Sequence, residues 1–306
     1  METQNIAAAL STHMPAVVRW CGAVARQLRQ FDISVGGKES GNSNTDALTL
    51  ADLSVQELIV SALRDLDPVF RTCRVEGEES TGDLVHFNAY SELAITIDPI
   101  DGTKQYRDRT GNGYGVIVQL QTPEQVHYSL VFLPEQSPNG TWVEVIDNHI
   151  RCGDDNPARS ARAVLDELSD TQPTRQTDSR KIYLIGFQDK DPLRAQNVTE
   201  VGLQGFTSDE MPGSIFSLMA TGEFAGSLIH SPNIYDFPVS MQIARMLGGD
   251  ALWVHNKQPV HFHELWMDDR ASMLRLPGIV ACSDNVDVLH TLCDLARDWN
   301  PIRYAD

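Results

Sequence analysis

The sequence predicts an α/β layered sandwich, in which alternating α and β layers are made of mixed, mainly antiparallel sheets with flanking helices. Two long amphipathic segments near the N terminus precede several short strand-like segments, and a polar stretch separates these from a part that mixes helices and strands. Helices first, strands next and a mixed part last is an order typical of layered α/β proteins. A Rossmann fold would instead alternate strands and helices from the beginning.

The two N-terminal segments have apolar residues at helical spacing. Helices are predicted over 5–31 and over 51–66. Between them, a stretch rich in Gly, Ser and Asn over 35–48 predicts a loop. Thr49 is a suitable N-cap for the second helix, and Pro68 ends that helix, because the residue before a proline disfavours the helical conformation.

A meander of strands is expected to follow the helices. A short strand is predicted at 74–76, and a buried-type strand over 93–97 is predicted to end at the Asp-Pro pair that follows it. Turn signals separate the next strands, so antiparallel pairing is expected for 114–121, 126–133 and 142–146.

The polar stretch 147–180, with one short helix, is the predicted boundary within the chain. We expect an N-terminal α+β half over 1–150 and a C-terminal α/β half over 180–306. The elements expected in the second half are strand 181–186, a helix after Pro192, helix 213–221, strand 224–229, helix 236–247, several short strands and a C-terminal helix.

The composition excludes several classes of function. The 306 residues contain 24 Lys and Arg against 42 Asp and Glu, so the net charge is −18. That charge repels nucleic-acid polymers, but it is compatible with a small phosphorylated ligand if divalent cations shield it. Five cysteines without a C-x-x-C pair are typical of reduced thiols, so we expect a cytoplasmic protein. We expect neither a signal peptide nor a membrane-spanning segment.

The clearest candidate for chemistry is the hexapeptide Asp-Pro-Ile-Asp-Gly-Thr at 98–103, directly after a buried strand. Its proline and glycine favour a tight turn, which can direct the carboxylates of Asp98 and Asp101, a backbone carbonyl and the Thr103 hydroxyl to one point. Hard divalent cations prefer oxygen ligands of this kind. Taken alone, the same hexapeptide is more often an ordinary turn that starts a helix.

Three other acidic positions carry weaker signals. Glu78 and Glu79 are adjacent like charges that a metal ion would neutralise, although acidic turns are common in a chain this acidic. Thr49 and Asp52 suit any helix start, yet Asp52 could also orient a water as a base. Asp236 opens a helix in the second half, where it could be an ordinary cap or a further carboxylate of the site.

In combination and order, these segments resemble the lithium-sensitive, magnesium-dependent inositol monophosphatase-like phosphatases. Members of that superfamily have T-x-A-D, then G-E-E-S, then D-P-I-D-G-T, then W-D before a helix that ends in G-G. The corresponding segments of this chain are Thr49 to Asp52, Gly77 to Ser80, Asp98 to Thr103, Tyr235-Asp236 and Gly248-Gly249. The resemblance implies that superfamily's fold and a metal-dependent phosphoric monoester hydrolase.

The resemblance also implies a role for each matching residue. Two or three Mg²⁺ ions would be held by four carboxylates and one backbone carbonyl, those of Glu78, Asp98, Asp101, Asp236 and Ile100. Asp52 and Thr103 would position and polarise the attacking water, with Glu78 as a third catalytic residue. The backbone amides of Gly102 and Thr103 would hold phosphate oxygens, and Glu79 would lie outside the direct metal ligands. The first half would therefore supply most metal ligands, and the second half the last one.

Further residues resemble the 3'(2'),5'-bisphosphate nucleotidase branch. Inositol monophosphatases place a Glu seven residues before the last aspartate, and that position is Ile229 here. Lys104 and the loop residue Lys38 resemble lysines of that branch, and Lys104 could meet a second phosphate. An exposed turn lysine explains Lys104 about equally well. Gly213 and Ser214 match a G-S pair that lies against the substrate at a helix start.

Three hypotheses therefore stay open. The first is a phosphatase for a bisphosphorylated nucleotide such as adenosine 3',5'-bisphosphate, and the second is a phosphatase for inositol or sugar phosphates. The third is a non-catalytic family member that binds a phosphorylated ligand. The resemblance also suggests a homodimer. The remaining cluster of His255, His261 and His263 is more typical of a strand face than of a zinc site.

Overall fold

The computed structural model of the protein describes residues 2–31, 33–36, 47–211 and 213–304. The chain opens with two helices, α1 (Glu2–Leu28) and α2 (Leu50–Leu66). Thr49 caps α2, and this helix ends before Pro68, as predicted. The predicted loop over 35–48 lies largely outside the described residues.

Six strands form the first sheet in chain order: β1 (Arg74–Gly77), β2 (Ala94–Asp101), β3 (Gly115–Gln121), β4 (Val126–Leu133), β5 (Thr141–Ile146) and β6 (His149–Asp154). β1 runs parallel to β2, and every later pair is antiparallel. The predicted meander is thus confirmed. A short helix, α3 (Thr103–Asp108), lies between β2 and β3.

Two features of this sheet differ from the prediction: the end of β2 and the presence of β6. β2 does not end at Ile97 but continues as far as Asp101. Because Pro99 has no N–H to donate, the pairing with β3 is interrupted there and then resumes, so the chain stays extended from Asp98 to Asp101 and turns only at Gly102. β6 falls in the stretch 147–180, for which the sequence predicts only a short helix. Its polar residues lack the apolar alternation of a strand, and pairing with β5 organises them.

Between the two halves lies α4 (Ala161–Glu167), which is the short helix expected in the polar stretch. The elements that follow are β7 (Lys181–Ile185), α5 (Asp191–Glu200), β8 (Gln204–Thr207), α6 (Ile215–Ala220), β9 (Gly226–His230), α7 (Phe237–Met246), β10 (Asp250–Trp253), β11 (Trp266–Asp268), β12 (Met273–Arg275), β13 (Ile279–Ser283) and α8 (Val286–Ala296). Five strands form a second sheet in the order β10-β13-β9-β7-β8, and β11 pairs with β12 alone.

The helices and sheets pack as five layers. α1 and α2 cover one face of the first sheet, where residues such as Leu10 and Ile59 are fully buried. The other face of that sheet packs on α6 and α7, which in turn cover the second sheet. α5 and α8 cover the outer face of the second sheet. This order of α, β, α, β and α layers confirms the predicted fold class. Among the described residues, no helix is both long and apolar enough to cross a membrane.

Candidate metal centre and substrate cavity

Three carboxylates of the predicted set converge where β2 ends and α7 begins. Oxygen atoms of Asp98, Asp101 and Asp236 lie within 4.8 Å of one another. Glu78 directly follows β1, and its carboxyl group forms a hydrogen bond with that of Asp98. Because β1 and β2 are parallel neighbours, their ends meet at the same edge of the sheet, which brings these two side chains together. Four of the predicted metal ligands therefore share one place in the fold.

The electrostatics of this cluster favour a cation. Burial raises the pKa of Asp98 well above its usual range, and the charges of Glu78 and Asp101 raise it further. Burial likewise raises the pKa of Asp101 and of Asp236, with each also repelled by Glu78. Acidic groups that oppose one another's ionisation in a buried place are stabilised when a bound cation balances their charge.

A further observation fits a metal ion. The Oδ1 atom of Asp98 is buried and accepts no hydrogen bond within the described part of the chain. A buried carboxylate oxygen without a donor is costly, whereas a hard cation would use its lone pairs. The donor set consists only of oxygen atoms, which is what Mg²⁺ prefers over nitrogen or sulfur. The residues present therefore fit Mg²⁺.

Asp52 and Thr103 are in direct contact, although β1 and β2 lie between them in the sequence. Asp52 is buried at the start of α2, where its Oδ2 accepts hydrogen bonds from the Thr49 N–H (2.8 Å) and the Thr49 hydroxyl (2.6 Å). Its Oδ1 lies 3.1 Å from Thr103 Oγ1, which is also 2.7 Å from the Ile100 carbonyl. Burial raises the pKa of Asp52 to about 6. One oxygen thus caps the helix, and the other faces the hexapeptide.

The side chain of Gln56 holds the turn that contains Glu78 and Glu79. Gln56 is not among the residues predicted from the sequence. Its side-chain amide donates to the carbonyls of Glu79 and Thr81, and its oxygen accepts the Glu79 N–H at 3.0 Å. Gly77 leaves room for it, since a Cβ there would lie 2.5 Å from the Gln56 amide carbon. The available signal was spacing: Gln56 lies four residues after Asp52, on the same face of α2.

Asp236 is positioned by two amide side chains. Asn233 accepts hydrogen bonds from the N–H groups of Tyr235 (2.7 Å) and Asp236 (3.0 Å). Gln119 in β3 donates to the Tyr235 carbonyl at 2.6 Å. The aspartate that opens α7 is therefore held against the first sheet, which explains how a residue of the second half reaches a centre built by the first.

A cavity of about 570 Å³ adjoins the carboxylates and is lined by both halves of the chain. All the predicted substrate contacts in the described ranges line it: Gly102, Thr103, Lys104, Gly213 and Ser214. Two of the backbone donors among them already have acceptors. The Gly102 N–H donates to the Asp101 carboxylate, and the Ser214 N–H donates to Gln136 Oε1 at 3.2 Å. The six-residue helix α6 therefore offers less to an anion than its sequence suggested.

The two halves make a close backbone contact at the edge of the cavity. A Cβ on Gly113 would lie only 2.8 Å from backbone atoms of Gly213 and Ser214, whereas a Cβ on Gly111 would meet Gln105 at an ordinary 3.7 Å. We therefore expect Gly113→Ala to push these segments apart and to lower kcat/KM about tenfold or more. Gly111→Ala should change kcat/KM less than twofold. Steady-state phosphate release measures both, and equal kcat/KM values would contradict the prediction.

Three predicted features belong neither to the carboxylate cluster nor to the lining of this cavity, or cannot be placed. Lys38 falls outside the described residues. Glu79 is buried beside the centre but does not line the cavity. Two of the histidines, His255 and His261, line a second cavity, and His263 instead pairs with Glu124 at 3.1 Å. Within the described ranges, Asp98, Asp101 and Asp236 are the only group of three His, Cys, Asp or Glu side chains whose ligand atoms lie within 4.8 Å of one another.

Comparison with known proteins agrees with this fold. Solved structures with a similar fold include an inositol monophosphatase from Anabaena (Nostoc) sp., with a TM-score of 0.63, 13% identity and 99% of both chains covered. CysQ from Bacteroides thetaiotaomicron, a bacterial member of the inositol monophosphatase family, has a TM-score of 0.61 and 15% identity, with 90% of this chain and 98% of that chain covered. An IMPase/NADP phosphatase complexed with Mg²⁺ and phosphate has a TM-score of 0.61 and 12% identity, with 91% of both chains covered.

At sequence identities of 12–15%, the similarity to these structures shows the fold alone. The family is shown instead by a comparison of sequences. No curated protein sequence matches the chain. The profile of the inositol monophosphatase family, however, matches residues 9–262, which is most of the chain and includes every predicted metal ligand. The chain therefore belongs to the inositol monophosphatase family, whose members are metal-dependent phosphatases.

Proposed function

We propose that this phosphatase hydrolyses a small bisphosphorylated nucleotide, such as adenosine 3',5'-bisphosphate, to AMP and phosphate. The observation that carries the proposal is the placement of a cation, Lys104, in the same cavity as the carboxylate cluster. A substrate with one phosphate at the cluster and another at Lys104 would use both. The IMPase/NADP phosphatase of similar fold supports a nucleotide substrate, because its name includes activity on NADP. In addition, Ile229 stands where a carboxylate is expected for binding an inositol ring.

The proposed metal ligands are those that the geometry brings together. Glu78, Asp98, Asp101 and Asp236 would hold two or three Mg²⁺ ions through carboxylate oxygens, with the Ile100 carbonyl as a further ligand. When bound, Mg²⁺ would neutralise negative charge on the phosphate and lower the pKa of water.

The proposed proton path runs from the attacking water through Thr103 to Asp52. If the single hydrogen of the Thr103 hydroxyl points to Asp52 Oδ1, at 3.1 Å, its lone pairs are directed away and can accept a hydrogen bond from water. Asp52 can take up the proton because its pKa of about 6 leaves it ionised at neutral pH but more basic than an exposed aspartate. The Thr103 amide would hold a phosphate oxygen, and the Gly102 amide would do the same once its hydrogen bond to the Asp101 carboxylate opens.

Lys104 has a partner that a substrate would have to displace. Its Nζ lies 3.1 Å from Asp209 Oδ1, in the segment that precedes Gly213. The Asp209 side chain is 70% exposed, so the ion pair contributes little to stability and can open. We propose that the second phosphate of the substrate takes the place of the Asp209 carboxylate.

The proposal predicts opposite effects for the two partners. Lys104→Ala should raise KM for adenosine 3',5'-bisphosphate about tenfold to a hundredfold, because a charged hydrogen bond contributes about 1.5–3 kcal/mol. Asp209→Asn should lower that KM, because it removes the competing anion. Neither change should alter KM for a monophosphate, which offers Lys104 nothing to bind. If Lys104→Ala raised KM equally for both substrates, Lys104 would instead serve to stabilise the turn of the hexapeptide.

A phosphate-release screen tests the proposal as a whole. The panel holds adenosine 3',5'-bisphosphate, inositol 1-phosphate and sugar phosphates, each with and without Mg²⁺ and Li⁺. Preference for the bisphosphate supports the proposal, and preference for inositol 1-phosphate would overturn the nucleotide assignment while leaving the metal chemistry. No release from any substrate would favour a non-catalytic member. Lithium inhibition and a homodimer are proposed on the family resemblance alone, and a cytoplasmic location is proposed on the five cysteines without a C-x-x-C pair.

A further inference from the structure

The guanidinium of Arg29 has an acceptor for each of its five N–H groups. Arg29 lies one residue beyond the end of α1 and is 9% exposed. The acceptors are the carbonyls of Gln105 (3.1 Å), Tyr106 (3.0 Å) and Gly111 (2.6 Å), the side-chain oxygen of Asn112 (3.1 Å) and the carboxylate of Glu135. Four of these five belong to the segment 105–112, which directly follows the hexapeptide.

That segment contains most of α3 and the loop behind it. With six residues, α3 is too short to be stable by itself, so its position must come from tertiary contacts. Arg29 binds carbonyls near the C-terminal end of this helix, where a positive charge is also favourable. Two more contacts join the same elements: the Tyr106 hydroxyl donates to the Ala25 carbonyl at 2.7 Å, and Arg109 donates to the Arg29 carbonyl at 3.1 Å.

We infer that Arg29 is a positioning residue, which acts through α3 on the placement of Thr103. Thr103 is the first residue of α3, and its hydroxyl faces Asp52 from there. Holding the far end of so short a helix fixes its near end, and a displacement of about 1 Å at a reacting group can cost about a hundredfold in rate. The inference rests on the proposed function, since it takes Thr103 and Asp52 as catalytic.

Arg19 provides a matched control for a role in stability alone. It lies on the same helix, pairs with the buried carboxylate of Asp155 and donates to the Arg159 carbonyl. Its guanidinium also lies 5.9 Å from the centre of the Trp142 ring. Arg19 therefore has the same kinds of partner, a carboxylate, a backbone carbonyl and an aromatic ring, although fewer of them, and none of these contacts involves α3.

The test compares Arg29→Lys with Arg19→Lys. Lysine keeps the charge beside each carboxylate but cannot supply the planar five-donor fork, so Arg29→Lys leaves backbone carbonyls of 105–111 without their donors. Both variants should lower the melting temperature by similar amounts. Only Arg29→Lys should lower kcat, by about tenfold or more at unchanged KM, when measured well below both melting temperatures. A kcat within twofold of wild type in Arg29→Lys would overturn the inference.

A second readout separates this inference from the proposed function. Amide hydrogen exchange of 103–112 should be faster in Arg29→Lys than in wild type and unchanged in Arg19→Lys. If the wild-type protein releases no phosphate from any substrate, the proposed function fails, and this measurement still decides whether Arg29 holds α3. If Arg29→Lys does not fold, Tyr106→Phe removes the neighbouring hydrogen bond to α1. Unchanged exchange and unchanged kcat in Tyr106→Phe would then refute the positioning of α3 from α1.

Discussion

Asp98→Asn is expected to abolish turnover. Asp98 shares a hydrogen bond with Glu78, lies within 4.8 Å of the other aspartates of the centre and is only 2% exposed. Losing one anionic ligand from this position should cost several kcal/mol of metal binding and transition-state stabilisation, or about a thousandfold or more in kcat/KM. Phosphate release at saturating Mg²⁺ measures the effect, and a variant with near-wild-type turnover would refute the metal centre.

The same substitution should leave the fold intact without metal. The buried carboxyl groups of Asp98 and Asp101 oppose each other's ionisation, so a neutral amide of the same size relieves repulsion. We expect the melting temperature of Asp98→Asn to equal or exceed that of wild type in EDTA. Wild type should gain stability when Mg²⁺ is added, whereas the variant should gain much less.

Asp155→Asn is the matched control for a buried aspartate. Asp155 is also buried, but it accepts hydrogen bonds from Arg19 and from the Trp142 ring nitrogen at 2.9 Å. Removing its charge breaks a buried ion pair, which is expected to destabilise the protein while leaving kcat/KM unchanged. Asp98→Asn should therefore lose activity without losing stability, and Asp155→Asn should lose stability without losing activity. A larger loss of turnover in Asp155→Asn would show that the assay reports folding rather than chemistry.

The grouping of the proposed site residues could be predicted in part because their signals are local in the sequence. The hexapeptide 98–103 follows a buried strand, and this alone places Asp98, Asp101 and Thr103 at one end of that strand. Interruption of the strand pairing at Pro99 changes where the strand ends, but not which residues meet. Asp236 was predicted from the family resemblance, because the residues around it are those of an ordinary helix start.

The supporting residues are harder to predict, because they act through backbone atoms of distant segments. Gln56 binds the main chain of 79–81, and Arg29 binds carbonyls of 105–111. Because these contacts are made to backbone atoms, they do not depend on which residues stand at 79–81 or 105–111, and no sequence motif can reveal them. Asp209 was missed for a different reason. It is one of many exposed acidic residues, and only the fold brings it opposite Lys104.

Asp52→Asn is expected to lower kcat about a hundredfold or more while changing the Mg²⁺ activation constant little. Asp52 bonds to Thr49 and Thr103 and to none of the clustered carboxylates. An asparagine can keep its oxygen toward Thr49 and so preserve the helix cap. Its NH₂ group would then face Thr103 and could not accept that hydroxyl's hydrogen, which would turn to the Ile100 carbonyl instead. The proposed proton path would be lost with the fold preserved.

Thr49→Ala distinguishes this role from simple helix capping. It removes the capping hydroxyl of α2, which should cost about 1 kcal/mol of stability, but the Thr49 N–H remains to hold Asp52. The carboxylate and its contact with Thr103 are therefore retained, and kcat should fall by no more than a few-fold. Comparable kcat losses in Thr49→Ala and Asp52→Asn would mean that Asp52 serves the helix rather than the water. A collapse of Mg²⁺ affinity in Asp52→Asn would instead place Asp52 among the metal ligands, because the loss of a nearby charge that is not a ligand should weaken metal binding only modestly.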